Sequence, residues 1–264
     1  MQATDTYIIP SVDRTLDLLE LLAEETNGLS LAELARRTGF PKSTVFRILA
    51  TLEARQVVVL DLHTRRYHLG HLLWSLGHRY VERSDLYEKA APVMQRLAEK
   101  SGETVFLGKL EDGEIIYMRR IESPRSIAIV KKLGQRVSAP STATGRAILA
   151  FLPAAELDGI IERHGLDAYT ASTVTDVAEL RRSLAQVHAD GFAIVNGEYN
   201  SELLCISAPV FDHTGHSRAS ITIAMPGSAA PPVPRQRELG ALVREYAGRL
   251  SCELGYLPGR SATL

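Results

Sequence analysis

An α+β fold in two domains is what this sequence of 264 residues predicts. Three observations carry the prediction. Residues 30–58 read as two short helices joined by a glycine turn, the second of them basic on its outer side. Residues 34–79 hold eight lysines and arginines against two acids, a net of +6 that leaves −7 for the rest of a chain totalling −1. Further along, the hydrophobic period runs from two to helical spacing and back to two, so strands enclose a run of helices.

The first helix is read from SVDRTLDLLELLAEETNG, with Val12, Leu16, Leu19 and Ala23 on one face and Asn27-Gly28 as its stop. Ser30 and Glu33 then form an S-x-x-E capping box, which satisfies orphan amides at a helix start. Leu31, Leu34 and Ala35 share the buried face, and Gly39 suits a left-handed turn. Pro41 fits the first position of the next helix, where its missing N–H costs nothing. Val45, Ile48, Leu49 and Leu52 fall at i, i+3, i+4, i+7 and bury one stripe, leaving Lys42, Ser43, Thr44, Arg47 and Thr51 outside. A solvated helical hairpin would mix its charges there, yet no acid occurs before Glu53. Short paired helices with a basic, hydroxylic outer face are the shape of a helix-turn-helix. Strand-like runs at 57–60 and 67–69 add a wing, with Arg65 and Arg66 at its tip to reach phosphates or a minor groove. The candidates for DNA contact are therefore Arg36, Lys42, Ser43, Thr44, Arg47, Arg65 and Arg66.

The domains are placed at 1–70 and 85–264, with a linker helix at 71–84. Its Leu72, Leu73, Trp74, Leu76 and Tyr80 exceed what one stripe needs, which suits packing on a second copy or on the chain's own domain. The helical period breaks at Ser84-Asp85 and at Pro92. ETVFLGKLEDGEIIYMRRIE is two strands around Asp112-Gly113, and RSIAIVKKLG adds a strand. Three helices follow in TGRAILAFL, PAAELDGIIERHG and DVAELRRSLAQVHADG, the last capped by Asp176 with Glu179 and ended by Gly191. Strands return in FAIVNGEY, LLCISAPVFD and SRASITIAM, the last two joined across HTGH. After APPVPR a final helix around ELGALVREYAGRLSCELG closes an α+β domain with a mostly antiparallel sheet.

SAPSTATGRAILAFL puts Ser141, Thr142, Ala143, Thr144 and Gly145 at the start of an apolar helix, whose amides and dipole suit an anion such as a carboxylate. Strand alternation sets Leu203, Cys205 and Ser207 on one face, opposite Leu204 and Ile206. It sets Ser220, Thr222 and Ala224 opposite Ile221 and Ile223. The aliphatic sides are expected under helices, and the small polar sides toward a cavity with Asn196 at its rim. Such a pocket suits an organic or aromatic acid as a small-molecule effector. No catalytic set, metal or cofactor is expected. Cys205 has no histidine near it in sequence, His213 and His216 share a turn, and His68, His71 and His78 lack neighbouring cysteine or carboxylate ligands. There is neither a phosphate loop nor a G-x-S-x-G elbow. Two cysteines, Cys205 and Cys252, are too few for a disulfide framework, and no apolar run has the length of a membrane span. With no basic-then-apolar signal pattern at the start, a cytoplasmic protein without a membrane partner is expected.

GLSLAELARRTGFPKSTVFRILATLEARQVV, TRRYHLG, GETVFL, IES, ATGRAILA, DGFAIVNGE and ISAPVFD, taken in this order, resemble the IclR (isocitrate lyase regulator) family nearly end to end. The resemblance implies an N-terminal winged helix-turn-helix domain, a linker helix, and a C-terminal GAF/PAS-like domain that binds a small-molecule effector. It also implies a homodimer, paired into a dimer of dimers on a double-stranded DNA operator. Family positions that touch effectors map onto Cys205, Thr222 and Ala224. Three residues depart from the family's pattern. Pro140 and Arg146 stand where histidine and lysine are common, and Gln56 stands where glycine is usual, so the angle into the wing is expected to differ. The function so implied is metabolite-modulated transcription regulation. Its rivals are a C-terminal domain that serves assembly only, and an enzyme with an appended DNA-binding domain.

Overall fold

The computed structural model describes residues 8–82, 85–122 and 133–257. Two compact units divide between residues 83 and 84.

In the first unit α1 (Pro10–Glu24), α2 (Leu31–Thr38) and α3 (Lys42–Ala54) precede a hairpin of β1 (Val58–Asp61) and β2 (Arg66–Leu69), and α4 (His71–Glu82) follows. The capping box forms as expected: the Glu33 N–H donates to Ser30 Oγ at 3.3 Å, and the Ser30 N–H donates back to Glu33 Oε2 at 2.8 Å. Gly39 ends α2 at φ 73°. Pro41 is the N-cap of α3 and not its first helical residue, because its ψ of 135° is extended. Val45, Leu49 and Leu52 bury against Leu18, Leu22, Leu29 and Leu34, the core of this unit.

α1 turns a different face inward from the one expected. Leu18 and Leu22 enter the core, whereas Val12 and Leu16 are each 54% exposed and Ala23 also faces solvent. The run DLLELLAE carries two overlapping leucine stripes about a quarter-turn apart, and its period alone does not choose between them. The seat offered by α2 and α3 makes the choice.

Gln56 adopts the left-handed conformation at φ 58°, the backbone a glycine would supply. A Schellman closure forms around it, with the Val57 N–H donating to Leu52 O at 2.8 Å and the Gln56 N–H to Glu53 O at 2.9 Å. The chain thus turns into β1 as a glycine would turn it, and the expected change of angle is not seen. The wing is tied down by Leu29 and Tyr67, whose N–H and C=O groups bond each other at 2.8 and 3.1 Å.

The second unit runs α5 (Asp85–Ser101), β3 (Thr104–Glu111), β4 (Glu114–Ile121), β5 (Arg136–Ser138), α6 (Ala143–Leu149), α7 (Ala154–His164) and α8 (Val177–Asp190), then β6 (Ala193–Asn196), β7 (Leu203–Phe211), β8 (Ser217–Pro226) and α9 (Val233–Glu253). α5 passes through Pro92 without the expected break, held by the burial of Ala90, Val93, Met94 and Leu97. The strand expected in RSIAIVKKLG lies almost wholly outside the described residues. The short β5, where no strand was expected, pairs with β4 through Val137 and Ile115.

The six strands form one sheet in the order β5-β4-β3-β8-β7-β6, with antiparallel neighbours throughout. Asp112 and Gly113, at φ 52° and 86°, close the β3–β4 hairpin as a two-residue turn requires. Leu204, Ile206, Ile221 and Ile223 pack beneath α5 and α9 against Met94, Leu97, Val243 and Leu250, as alternation predicts. The opposite face carries α6, α7 and α8, with Phe106, Ile148, Leu180 and Leu184 at its centre. Among the described residues no helix is long and apolar enough to cross a membrane.

Candidate functional sites

Within the first unit, the outer side of α3 presents Lys42, Ser43 and Arg47 to solvent, with Thr44 half-buried beside them. Phe46, 55% exposed, and Ala50 share this surface and went unremarked in the sequence reading. The basic block divides into two groups. Arg37 is paired with Glu25 at 2.6 Å, and Arg66 with Glu33 at 3.2 Å while it also donates to Gly28 O at 2.8 Å. Arg36, Lys42, Arg47 and Arg65 enter no ion pair among the described residues. Arg66 is thus turned back from the wing tip to brace the start of α2, and does not project beside Arg65 as expected.

The start of α2 is electrostatically organised. The Ser30 N–H, then its hydroxyl, and then the Arg66 guanidinium hold the Glu33 carboxyl down to about 2. At the wing tip the His63 N–H, with the Thr64 hydroxyl and N–H, holds Asp61 below the usual carboxylate range. That turn sets Arg65 at φ 56°, exposed on the outside of the hairpin.

In the second unit Ser141, Thr142, Ala143, Leu203 and Cys205 line one cleft together with Glu198, Tyr199 and Asn200. The cleft is closed down to about 20 Å³, room for a single water. The remaining expected residues lie elsewhere. Thr144, on the sheet-facing side of α6, and Ser207, Ser220, Thr222 and Ala224 beneath it are buried. The expected cavity on this side is not seen, because the small side chains let α6 lie directly on the sheet. A Cβ on Gly108 would come within 2.4 Å of the Thr144 methyl, and one on Gly145 within 2.0 Å of Ala139 O. Asn196 is exposed at the end of β6, outside the cleft.

The hydroxyls of this seam satisfy one another. Ser207 Oγ donates to Ile221 O at 3.1 Å and accepts from Thr222 Oγ1 at 2.8 Å. Each hydroxyl has one hydrogen, so Thr144 must donate to Thr222 at 2.8 Å and accept from Tyr117 OH at 3.3 Å. Ser220 Oγ donates to Thr144 O at 2.9 Å. The seam is a directed relay that ties α6 to β4, β7 and β8.

The start of α6 was expected to offer free amides to an anion. Thr142 takes one of them itself, accepting from the Gly145 N–H on Oγ1 at 3.1 Å, while its carbonyl accepts the first bond of the helix from the Arg146 N–H at 2.9 Å. What sequence reasoning missed is a buried ion pair beside the cleft. Arg146 donates to both Glu198 oxygens, at 2.8 and 2.5 Å, and from Nε to Pro140 O at 2.8 Å. Glu198 also accepts from the Val174 N–H at 3.1 Å. The available signal was the lone arginine in the apolar stretch TGRAILAFL, which had to find an acid once that helix was buried. Ser141 Oγ, in contrast, is buried with no hydrogen-bond partner among the described residues.

Other candidates for chemistry resolve into structure. His216 shares a 2.7 Å hydrogen bond with Thr214, in a turn closed by Asp212. Among the described residues no group of three histidine, cysteine or acidic side chains could hold a metal. Cys205 is buried and Cys252 exposed.

Comparison with known proteins matches both units. The IclR helix-turn-helix domain matches residues 11–62, and the C-terminal domain of the bacterial transcriptional regulator IclR matches residues 78–252. The HTH-type transcriptional regulator BhcR of Paracoccus denitrificans is 35% identical over 224 residues, covering 85% of this chain and 80% of that protein. The HTH-type transcriptional repressor AllR of Klebsiella pneumoniae is 31% identical over 248 residues, covering 94% of this chain and 91% of that one. A crystal structure of an IclR transcriptional regulator from Alicyclobacillus acidocaldarius aligns with a TM-score of 0.81 at 30% identity, over 94% of this chain and all of that one. With a helix-turn-helix unit ahead of an antiparallel α+β unit, and both matched, the chain belongs to the IclR family of DNA-binding transcriptional regulators.

Proposed function

We propose that α3 enters the major groove of an operator, that Arg36, Lys42, Ser43, Thr44, Arg47 and Arg65 hold it there, and that a small anionic metabolite in the second unit modulates the binding. The division of the basic block carries the DNA contact. Arg37 and Arg66 are held by acids, whereas Arg36, Lys42, Arg47 and Arg65 face solvent and enter no ion pair among the described residues. An unpaired cation gains most from displacing counterions along a phosphate backbone. The test is binding to an operator duplex measured over a range of salt. Lys42→Ala should weaken all sequences alike and flatten the slope of log K against log salt by about 0.9, whereas Arg37→Ala should leave the slope unchanged. An unaltered slope in Lys42→Ala would remove that residue from the interface.

The effector reading is supported by the buried Ser141 hydroxyl, which has no partner among the described residues, on a cleft that Glu198 also lines. A ligand carboxylate there would take the Ser141 hydrogen and compete with Glu198 for Arg146. Thermal unfolding against a panel of small carboxylates, aromatic acids, sugars and alcohols tests this, since a ligand of the native state raises the midpoint by mass action. The carboxylates should give the shift, and Ser141→Ala should lose it. A second reading, in which this unit serves assembly alone, is favoured by the sealed hydroxyl seam and the one-water cleft. On that reading no member of the panel shifts the midpoint. A homodimer, paired again on DNA, would cover the apolar side chains of Val12, Leu16 and Leu76 that the first unit exposes.

A further inference from the structure

The side of α3 opposite its core stripe is not uniformly polar. Val45, Leu49 and Leu52 point inward, and Ser43, Phe46, Arg47 and Ala50, at i, i+3, i+4 and i+7, form the outward strip. Among the described residues Phe46 is the one large apolar side chain of α2 and α3 left mostly in solvent. Its neighbours on the strip are a hydroxyl, a guanidinium in no ion pair among the described residues, and a methyl. A binder of phosphates alone gains nothing from phenylalanine and alanine in the middle of its groove-facing surface. A reader of base edges does, because the thymine 5-methyl is the one apolar group that the major groove displays, and phenylalanine and alanine are side chains that contact it. The small Ala50, one turn on from Phe46, also lets the helix approach the groove floor.

We propose that Phe46 is a base-reading residue of this regulator, packing on thymine 5-methyl groups in the major groove beside Arg47 and Ala50. The inference rests on the operator-binding reading above and adds what the cations do not give: a preference at defined T·A pairs that is insensitive to salt. Removing one buried methyl should cost about three- to fourfold in affinity.

The experiment begins with selection of sites from a random duplex library by the full-length protein. Each thymine of the selected site is then replaced singly by deoxyuridine, which deletes the methyl and nothing else. The wild-type chain should lose about three- to fourfold at one or two thymines per half-site. Phe46→Ala, which should fold normally because the ring is exposed, should bind more weakly and be indifferent to those replacements, with an unchanged salt slope. Phe46→Leu should retain the methyl dependence in part. If wild type tolerates deoxyuridine everywhere, or Phe46→Ala keeps the full penalty at the same thymines, the inference is wrong although operator binding stands. If no sequence is selected at all, operator binding itself fails and the inference falls with it.

Discussion

Glu33 serves three contacts at once: the N–H of Ser30, the hydroxyl of Ser30 and the guanidinium of Arg66. Its folded-state carboxyl titrates at about 2, against 4.5 for the free group. The sign of the pH dependence follows. Above pH 4.5 the carboxylate is ionised in both states and its stabilising contribution is complete; as pH falls toward 2 the unfolded chain takes up the proton first and the contribution is lost. Calorimetry from pH 7 downward should therefore show the first unit weakening below about pH 4.5, with that part of the decline absent in Glu33→Gln. An identical acid decline in the variant would mean that the caps and Arg66 do not depend on the charge. Arg146 and Glu198 make a second case, with side chains 4% and 12% exposed. Losing one partner leaves a buried charge, so Arg146→Met should cost about 3 kcal/mol or more. Arg146→Met combined with Glu198→Leu should recover much of that loss, since well-packed apolar residues often replace a buried pair without net cost. Equal losses in the single and double variants, measured by denaturant unfolding, would show that the pair adds more than mutual neutralisation.

Elements whose signals are local were legible from sequence, and elements whose state depends on packing were not. Ser30 with Glu33, Gly39, Asp176 with Glu179, and Asp112-Gly113 all form what their spacing predicts, because each motif closes its own hydrogen bonds within a few residues. α1 was rotated in the reading because two leucine stripes compete and only tertiary contact decides. The small polar faces of β7 and β8 were read as a cavity wall because alternation reports which residues share a side, not what covers it. α6 covers it, seated by Gly108 and Gly145. Gln56 is a third case: it was expected to change the angle into the wing, yet it takes the left-handed backbone that a glycine would supply and pays for it in strain. Relief of about 1–2 kcal/mol of strain, set against about 0.5–1 kcal/mol of glycine entropy, leaves Gln56→Gly more stable by about 0.5–1 kcal/mol. A higher unfolding midpoint checks this, and a lower one would reveal contacts of the Gln56 side chain that outweigh the backbone.

Across the whole molecule, apolar exposure is concentrated in the first unit, which also contains the one strongly basic block. Its basic block carries +6 within a chain of net −1. It also exposes Ile8, Ile9, Val12, Leu16, Phe46 and Leu76, a large apolar display for so small a core. Phe46 lies on the surface assigned to DNA, Val12 lines the same groove between α1 and α3, and Leu16 projects from α1 one turn further on, although both α1 residues were expected to be core. That expectation was right about the chemistry and wrong about the location: these side chains do call for burial, and the fold of a single copy does not provide it. On the proposed homodimer, a second copy does. Sedimentation of the full chain should then give a dimer at micromolar concentration, and Val12→Ser with Leu16→Ser should shift it toward monomer without lowering the unfolding midpoint of the isolated copy, since neither residue joins the core. Operator binding should fall in the same variant by more than any phosphate contact explains, because two half-sites held by one dimer bind with an effective concentration that separate monomers lack. If the variant stays dimeric, the contact between copies lies elsewhere, and α1 needs another reason to leave two of its aliphatic side chains in water.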